Sequence, residues 1–283
     1  MKKDSKNTKN SWTNTLLVLM LIIGLSLLLY PPLSNYWNSF TQSRAIATYS
    51  NAVAKMDNEG YRIEMEKAQE YNRTLLGRRN PYLISEEQRA EYEARLDVTG
   101  SGIMAYIEIP CVDIMIPVYH GTNETILQVA AGHLDWSSLP AGGASTHCVL
   151  SGHRGLPSAR LFTDLDKLVV GDFFMLHVLD QILTYEVDQI KIVEPHMTED
   201  LLIEEGKDLI TLVTCTPYGV NSHRLLVRGH RVENLEETLV VRVTADAVIV
   251  EKLVVAPFLL APLLLITLIA LLIPKKTNRR DEA

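Results

Sequence analysis

Between Asn10 and Ser43 the chain carries no charged residue, and Leu253–Ile273 adds a second uncharged run that is almost wholly apolar. About twenty apolar residues suffice to cross a bilayer, and lipid permits a spanning backbone only as a helix or a closed barrel. A simple cytosolic enzyme is therefore excluded. The first run has its core at Leu16–Tyr30 and is closed by Pro31-Pro32, with uncharged flanks that lengthen it. Trp12, Tyr30, Tyr36 and Trp37 fall where an aromatic belt would lie. The nearest A-x-A site, Ala45-Ile46-Ala47, lies about fifteen residues beyond the apolar core, too far for ordinary signal cleavage. These features predict a tail at 1–11 and a retained membrane anchor at 12–33. The second run predicts another span at 253–273, followed by a basic tail at 274–283. It has no polar face, as a core helix would, and its Pro257 and Pro262 are tolerable in lipid.

Charge orients these spans. Lys2, Lys3, Lys6 and Lys9 precede the first; Lys275, Lys276, Arg279 and Arg280 follow the second. The positive-inside rule places both termini in the cytoplasm and the intervening part outside the cell membrane. Of the net −7, residues 1–9 contribute +3 and residues 275–283 contribute +2, leaving −12 on residues 10–274. An acidic exported part argues against a nucleic-acid partner and leaves the lipid bilayer as the expected one. The three cysteines, Cys111, Cys148 and Cys215, leave at least one thiol unpaired; Cys111 and Cys148 are free to pair or not.

Within the exported part, residues 34–99 read as a helical collar. Ile46, Tyr49, Val53 and Met56 recur at helical spacing, as do Met65, Ala68, Tyr71 and Leu75 after Gly60. Such a stripe is a packing face. Arg78–Tyr82 is turn-prone, and Ser85-Glu86-Glu87-Gln88 has the form of a capping box. From residue 100 to about 250 the pattern is β. Strands are predicted at Ile103–Ile109, Val112–Tyr119, Thr146–Ser151, Asp172–Leu179, Ile182–Val193, Leu209–Cys215 and His223–Val232, with a hairpin turn at Leu179-Asp180-Gln181 and helical turns at Thr125–Ala131. Seven or eight short strands with little helix between them predict an all-β barrel or sandwich.

Three residues stand out chemically. The run Thr211–Cys215 ends in a thiol, and Pro217 stops the ladder just beyond it, leaving Cys215 at a strand mouth. The next strand opens with Arg224, across the hairpin from the thiol. Upstream, Leu150-Ser151-Gly152-His153-Arg154-Gly155 breaks a β-run into a glycine-flanked His153. A nucleophile, a proton carrier and a fixed cation form a nucleophilic set, since a neighbouring Arg favours thiolate and donates to a developing oxyanion.

On these residues the chain resembles the sortases, the membrane-anchored cysteine transpeptidases of Gram-positive bacteria. Thr211–Cys215 (TLVTC) matches the family's T-L-x-T-C signature, His153 its upstream His and Arg224 its downstream Arg. The longer stretches LSGHRGLPSARLFTDLDKLVVGD and TLVTCTPYGVNSHRLLVRGHR, with the C-terminal span, resemble class C, the pilus-polymerising sortases. The resemblance implies a closed β-barrel of about eight strands whose groove holds an LPXTG-like sorting signal, with no cofactor. Cys215 would attack the Thr–Gly carbonyl to give a thioacyl enzyme. His153 would protonate the departing amine and later take a proton from an acceptor lysine of another pilin. Arg224 would orient substrate or hold the oxyanion, and Thr214 and Ser151 would form pocket walls. The implied partners are pilin precursors bearing the sorting signal. Class C enzymes also carry an Asp-Pro-aromatic lid; here the nearest match is Asn80-Pro81-Tyr82, which lacks the anion. A loosely held lid is expected.

Other readings are weaker. A papain-like hydrolase places Cys at a helix start with His downstream, the reverse of this order. A wall-anchoring sortase and a non-catalytic tethered surface protein remain as alternatives. No zinc-type spacing or H-E-x-x-H accompanies His147 and Cys148, so no metal site is expected. His120 and His133, each beside a glycine, read as turn residues, and Asp164/Asp166 as a capped turn.

Overall fold

The computed structural model describes residues 7–234; the predicted span at 253–273, its basic tail and the last part of the predicted barrel lie outside them. Helix α1 (Asn7–Val53) runs through Pro31 and Pro32, so the prolines do not close the apolar run as expected. Residues Trp12–Val53 are long and apolar enough to cross a membrane. Chain contacts separate the part up to Ser34 from a compact unit that begins at Asn35 and holds both the collar and the barrel.

The collar breaks at residues 54–57, and Asp57 caps α2 (Asn58–Leu75) by accepting from Gly60 N at 2.8 Å. Gly60, after which the helical spacing resumes, lies inside this helix. The predicted stripe is buried as a packing face, with Tyr49, Val53, Met65, Ala68, Tyr71 and Leu75 all in the main core. Ser85 and Gln88 form the expected capping box at the start of α3 (Glu86–Glu93).

Eight strands close a barrel: β1 (Ile103–Ile109), β2 (Ile114–His120), β3 (Ala131–His133), β4 (Thr146–Ser151), β5 (Phe173–Val178), β6 (Gln181–Val193), β7 (Asp208–Thr216) and β8 (His223–Val232), joined in the order β1-β2-β3-β4-β7-β8-β6-β5. A four-residue helix, α4 (Glu124–Leu127), connects β2 to β3. The hairpin expected at Leu179-Asp180-Gln181 joins β5 to β6, with Leu179 at φ +51°. His120 and His133 are not turn residues: they end β2 and β3 and are bonded there. Asp164 precedes a 3-10 turn without capping it, and pairs with Arg160 and Lys167 instead.

Alternation along the strands divides two cores. Cys148, Leu150, Ile210, Leu212, Leu225 and Val227 fill the barrel, while Val149, Val213, Leu226 and Leu201 form a second cluster on the outer face. A strand turns successive side chains to opposite faces, so one sheet supplies both.

Each collar helix is bolted to the barrel by a buried polar side chain. Tyr49 Oη donates to Met104 O and accepts from Leu179 N; Asn72 donates to and accepts from Leu139; Tyr92 Oη meets His133 Nδ1 at 3.0 Å and accepts from Gly121 N at 2.9 Å. Buried polar groups need such partners, so these bonds specify how the collar seats as well as holding it.

Candidate active site

β4 and β7 run parallel with Ser151 opposite Val213, and β7 and β8 run antiparallel with Cys215 opposite Arg224. The ends of three adjacent strands therefore bring the predicted nucleophile, cation and imidazole loop together. By parity, Cys215 and Arg224 share the outer face with Val213 and Leu226, and Ser151 shares it with Val149. This outer cluster is flanked by Leu134 and Trp136 before β4 and by Val193 at the end of β6. The result is an apolar floor with the reactive groups at one end.

The loop after β4 is fixed mainly through its backbone. Gly152 N donates to Val213 O at 3.1 Å, and Thr214 Oγ1 donates to Gly152 O at 2.8 Å. His153 O accepts from Phe162 N at 3.1 Å. A Cβ on Gly152 would stand 2.6 Å from the Phe162 ring, so only glycine lets the chain pass there. Gly155, at φ +73°, lies against the Tyr218 ring, where a Cβ would stand 2.7 Å away; the two loops flanking the site interlock at that point. Thr214 is buried on the inner face with its hydroxyl engaged by Gly152, and so is not a pocket wall as expected. It positions the residue before His153.

The charged groups differ in how firmly they are held. Arg224 Nη1 donates to the carbonyls of Asn221 (3.3 Å), in the preceding loop, and His223 (3.0 Å), at the start of its own strand. Arg154, adjacent to His153, pairs with Asp166 and reaches Thr216 Oγ1 at 3.4 Å. Its charge is already answered, whereas Arg224 makes no ion pair among the described residues. His153 is partly exposed, and its Nε2 is shielded yet has no hydrogen-bond partner. The three thiols are free. Burial pushes Cys148 well above the ordinary thiol range and, with Asp172 beside it, also raises Cys111. The cysteine at the strand mouth is the one within this constellation.

A sortase-domain family model matches residues 107–232. The structure of sortase C1 from Streptococcus agalactiae is 52% identical, with a TM-score of 0.66, over 68% of this chain and all of that one. The structure of Streptococcus pneumoniae sortase C is 45% identical, with a TM-score of 0.60, over 68% of this chain and 97% of that one. The chain belongs to the sortase family. It is thus a cysteine transpeptidase by family, and among curated relatives sortase A of Bacillus anthracis is 26% identical over 75% of this chain and 90% of that protein.

In this sortase the segment Asn80-Pro81-Tyr82 lies against Trp136, which flanks the outer cluster. Tyr82 packs edge-on against Trp136 with ring centroids 5.0 Å apart, and its Oη accepts from Thr198 Oγ1 at 2.8 Å. It thereby links the loop before β4 to the loop after β6. Asn80 Oδ1 accepts from Tyr82 N at 3.1 Å, which engages it within its own turn. His147, the residue nearest to a metal reading, is buried with Nδ1 facing Leu202 O and Nε2 facing Thr211 Oγ1, and burial lowers its pKa. Among the described residues no cluster of metal-ligating side chains occurs.

Sequence reasoning missed Arg154 as a competing cation, although it adjoins His153. It also missed Glu124, whose Oε1 lies 3.5 Å from His153 Nε2. That carboxylate arrives from α4, between strands, and no local pattern marks it.

Proposed function

We propose that the protein is a membrane-anchored pilus-assembling transpeptidase, with both termini cytoplasmic and the barrel outside. The observation that carries the site assignment is the direct pairing of Cys215 with Arg224, beside the strand that leads into His153. Cys215 Sγ attacks the carbonyl between Thr and Gly of an LPXTG-like signal laid along the outer cluster. Arg224 donates to the developing oxyanion, and His153 protonates the leaving amine, giving a thioacyl enzyme. A pilin lysine amine then attacks this thioester, His153 takes its proton and the thiolate leaves. Tyr82 acts as a loosely held lid: its contacts span the groove, and Asn80 brings no anion to Arg224. Support for pilin substrates comes from the relatives, since the pneumococcal structure concerns pilin substrate specificity and another match is sortase C1 of GBS pilus island 1.

The test is mass spectrometry after mixing the full chain in detergent with pilins that end in an LPXTG-like signal. Lysine-linked ladders are expected, and Cys215→Ala should form neither ladder nor thioester. Transfer to a peptidoglycan-type amine without ladders would replace polymerisation by wall anchoring. Turnover retained in Cys215→Ala would remove the thiol mechanism.

A further inference from the structure

Glu124 stands at the edge of the His153 ring, and neither acylation nor transfer as proposed makes use of it. Its Oε1 is 3.5 Å from His153 Nε2, yet its side chain is 70% exposed and open to a solute. The carboxylate sits on a fixed turn: Asn123 Oδ1 caps α4 by accepting from Ile126 N at 3.1 Å. Gln128 Nε2 donates to Glu124 Oε1. That bond first, with His153 adding to it, holds the Glu124 carboxyl below the ordinary carboxylate range. Among the described residues no lysine or arginine pairs with it; the nearby Arg154 and Asp166 engage each other. A charged, accessible carboxylate thus adjoins a ring nitrogen that lacks a partner.

The acceptor of a sortase reaction is a primary amine, and an alkyl amine with a pKa near 10 arrives at neutral pH as an ammonium. An ammonium cannot attack a thioester until it has lost a proton. We propose that Glu124 is the docking carboxylate for the acceptor ammonium, receiving it beside the base that completes its deprotonation. The inference rests on the transpeptidase reading of Cys215 and His153. The docked ammonium passes one proton through Glu124 to water and becomes a neutral amine. Its nitrogen lone pair forms the new C–N bond at the thioacyl carbon. His153 Nε2 takes the second proton as the adduct collapses, and the C–S bond breaks with its electron pair leaving on Cys215 Sγ.

The experiment compares two acceptors on the full chain in detergent micelles, acylated with a sorting-signal peptide. Nα-acetyl-lysine amide is cationic at neutral pH; hydroxylamine is uncharged there. In Glu124→Gln the ratio of transfer rates, lysine amide to hydroxylamine, should fall about fivefold, the scale of an exposed ion pair. High salt should narrow the difference between the unsubstituted protein and the variant. Rates are normalised to thioacyl enzyme, so a partly unfolded variant does not mimic the effect. An unchanged ratio would overturn the docking role, whether both rates hold or both fall together, since a joint fall places Glu124 on His153 and not on the ammonium. Failure of the unsubstituted chain to form any thioacyl enzyme would instead overturn the transpeptidase reading, and the docking role with it.

Discussion

One histidine ends a strand of the barrel and another follows the neighbouring strand, and the two are treated in opposite ways. His133 ends β3 with no exposed surface, and each ring nitrogen is answered: Nδ1 by Tyr92 Oη at 3.0 Å, Nε2 by Ser138 O at 2.8 Å. His153 follows β4 with 28% of its side chain exposed and an Nε2 that has no hydrogen-bond partner. Two tyrosines of the N-terminal region differ in the same way. Tyr92 is buried and seals the collar, while Tyr82 is 42% exposed and bridges Trp136 and Thr198. The same side chains thus make a permanent joint in one place and a set of available groups in the other. A satisfied buried network stabilises; a ring nitrogen without a hydrogen-bond partner, on a partly exposed side chain, leaves a proton-transfer position uncommitted.

The sharpest way to break this comparison is to remove the two imidazoles separately. His153→Ala should lower transpeptidation by about 1,000-fold, the usual scale for loss of a general acid–base group, and leave the thermal midpoint nearly unchanged. His133→Ala should do the reverse, lowering the midpoint because Tyr92 and Ser138 lose a buried partner, with activity per folded molecule retained. Calorimetry and peptide turnover on the same preparations check both. A large stability loss in His153→Ala would show that the site histidine is also a structural one.

Legibility in the sequence divides along the same line. Cys215, His153 and Arg224 are legible because each adjoins a punctuation mark: Pro217 after the thiol, Gly152 and Gly155 around the imidazole, and the strand opening at His223. The long strands are legible because a period of two persists through them. Ala131–His133 has only three residues, too few to display a period, so His133 reads as a turn residue. The bolts at Tyr49, Asn72 and Tyr92 show only as an apolar or helical pattern, because hydrogen bonding across 29 to 130 residues leaves no local mark. Pro31-Pro32 misleads in the opposite direction: a strong local breaker is overridden, and α1 continues through it. The family resemblance implies a pocket wall at Thr214, but the two-residue alternation turns it to the inner face.

His133 makes the second test a titration. Burial pushes its pKa down to about 3, with the nearby His120 adding to the effect and the Ser138 carbonyl opposing it. The folded state therefore holds a neutral ring while the unfolded chain takes up a proton near pH 6.5. With the folded pKa depressed, this stability is fully present above about pH 6.5 and is lost as pH falls toward 3, on the order of 4 kcal/mol over the window. Chemical denaturation between pH 7 and pH 4 should show that decline, and His133→Gln should flatten it. An equal slope in the variant would assign the acid sensitivity to other groups.

The smallest expected effect concerns the two tyrosines. Tyr82 is held by one exposed hydrogen bond from Thr198 and one edge-on contact with Trp136, together worth about 1 to 2 kcal/mol. If Tyr82 is the proposed lid, so weak a hold leaves a minor open population, and substrate binding is reduced by the fraction that is closed. Tyr82→Ala should therefore raise peptide turnover at low substrate by about fivefold, with little change in thermal midpoint. Thr198→Val removes only the hydrogen bond and should give a smaller rise, about twofold. The ordering matters more than either number: if Tyr82 covers the groove, the rise must grow with each contact removed and vanish when substrate saturates. An equal fall in the maximal rate and in turnover at low substrate would place Tyr82 in the chemistry and not over the entrance, and the parallel with the sealed Tyr92 joint would end there.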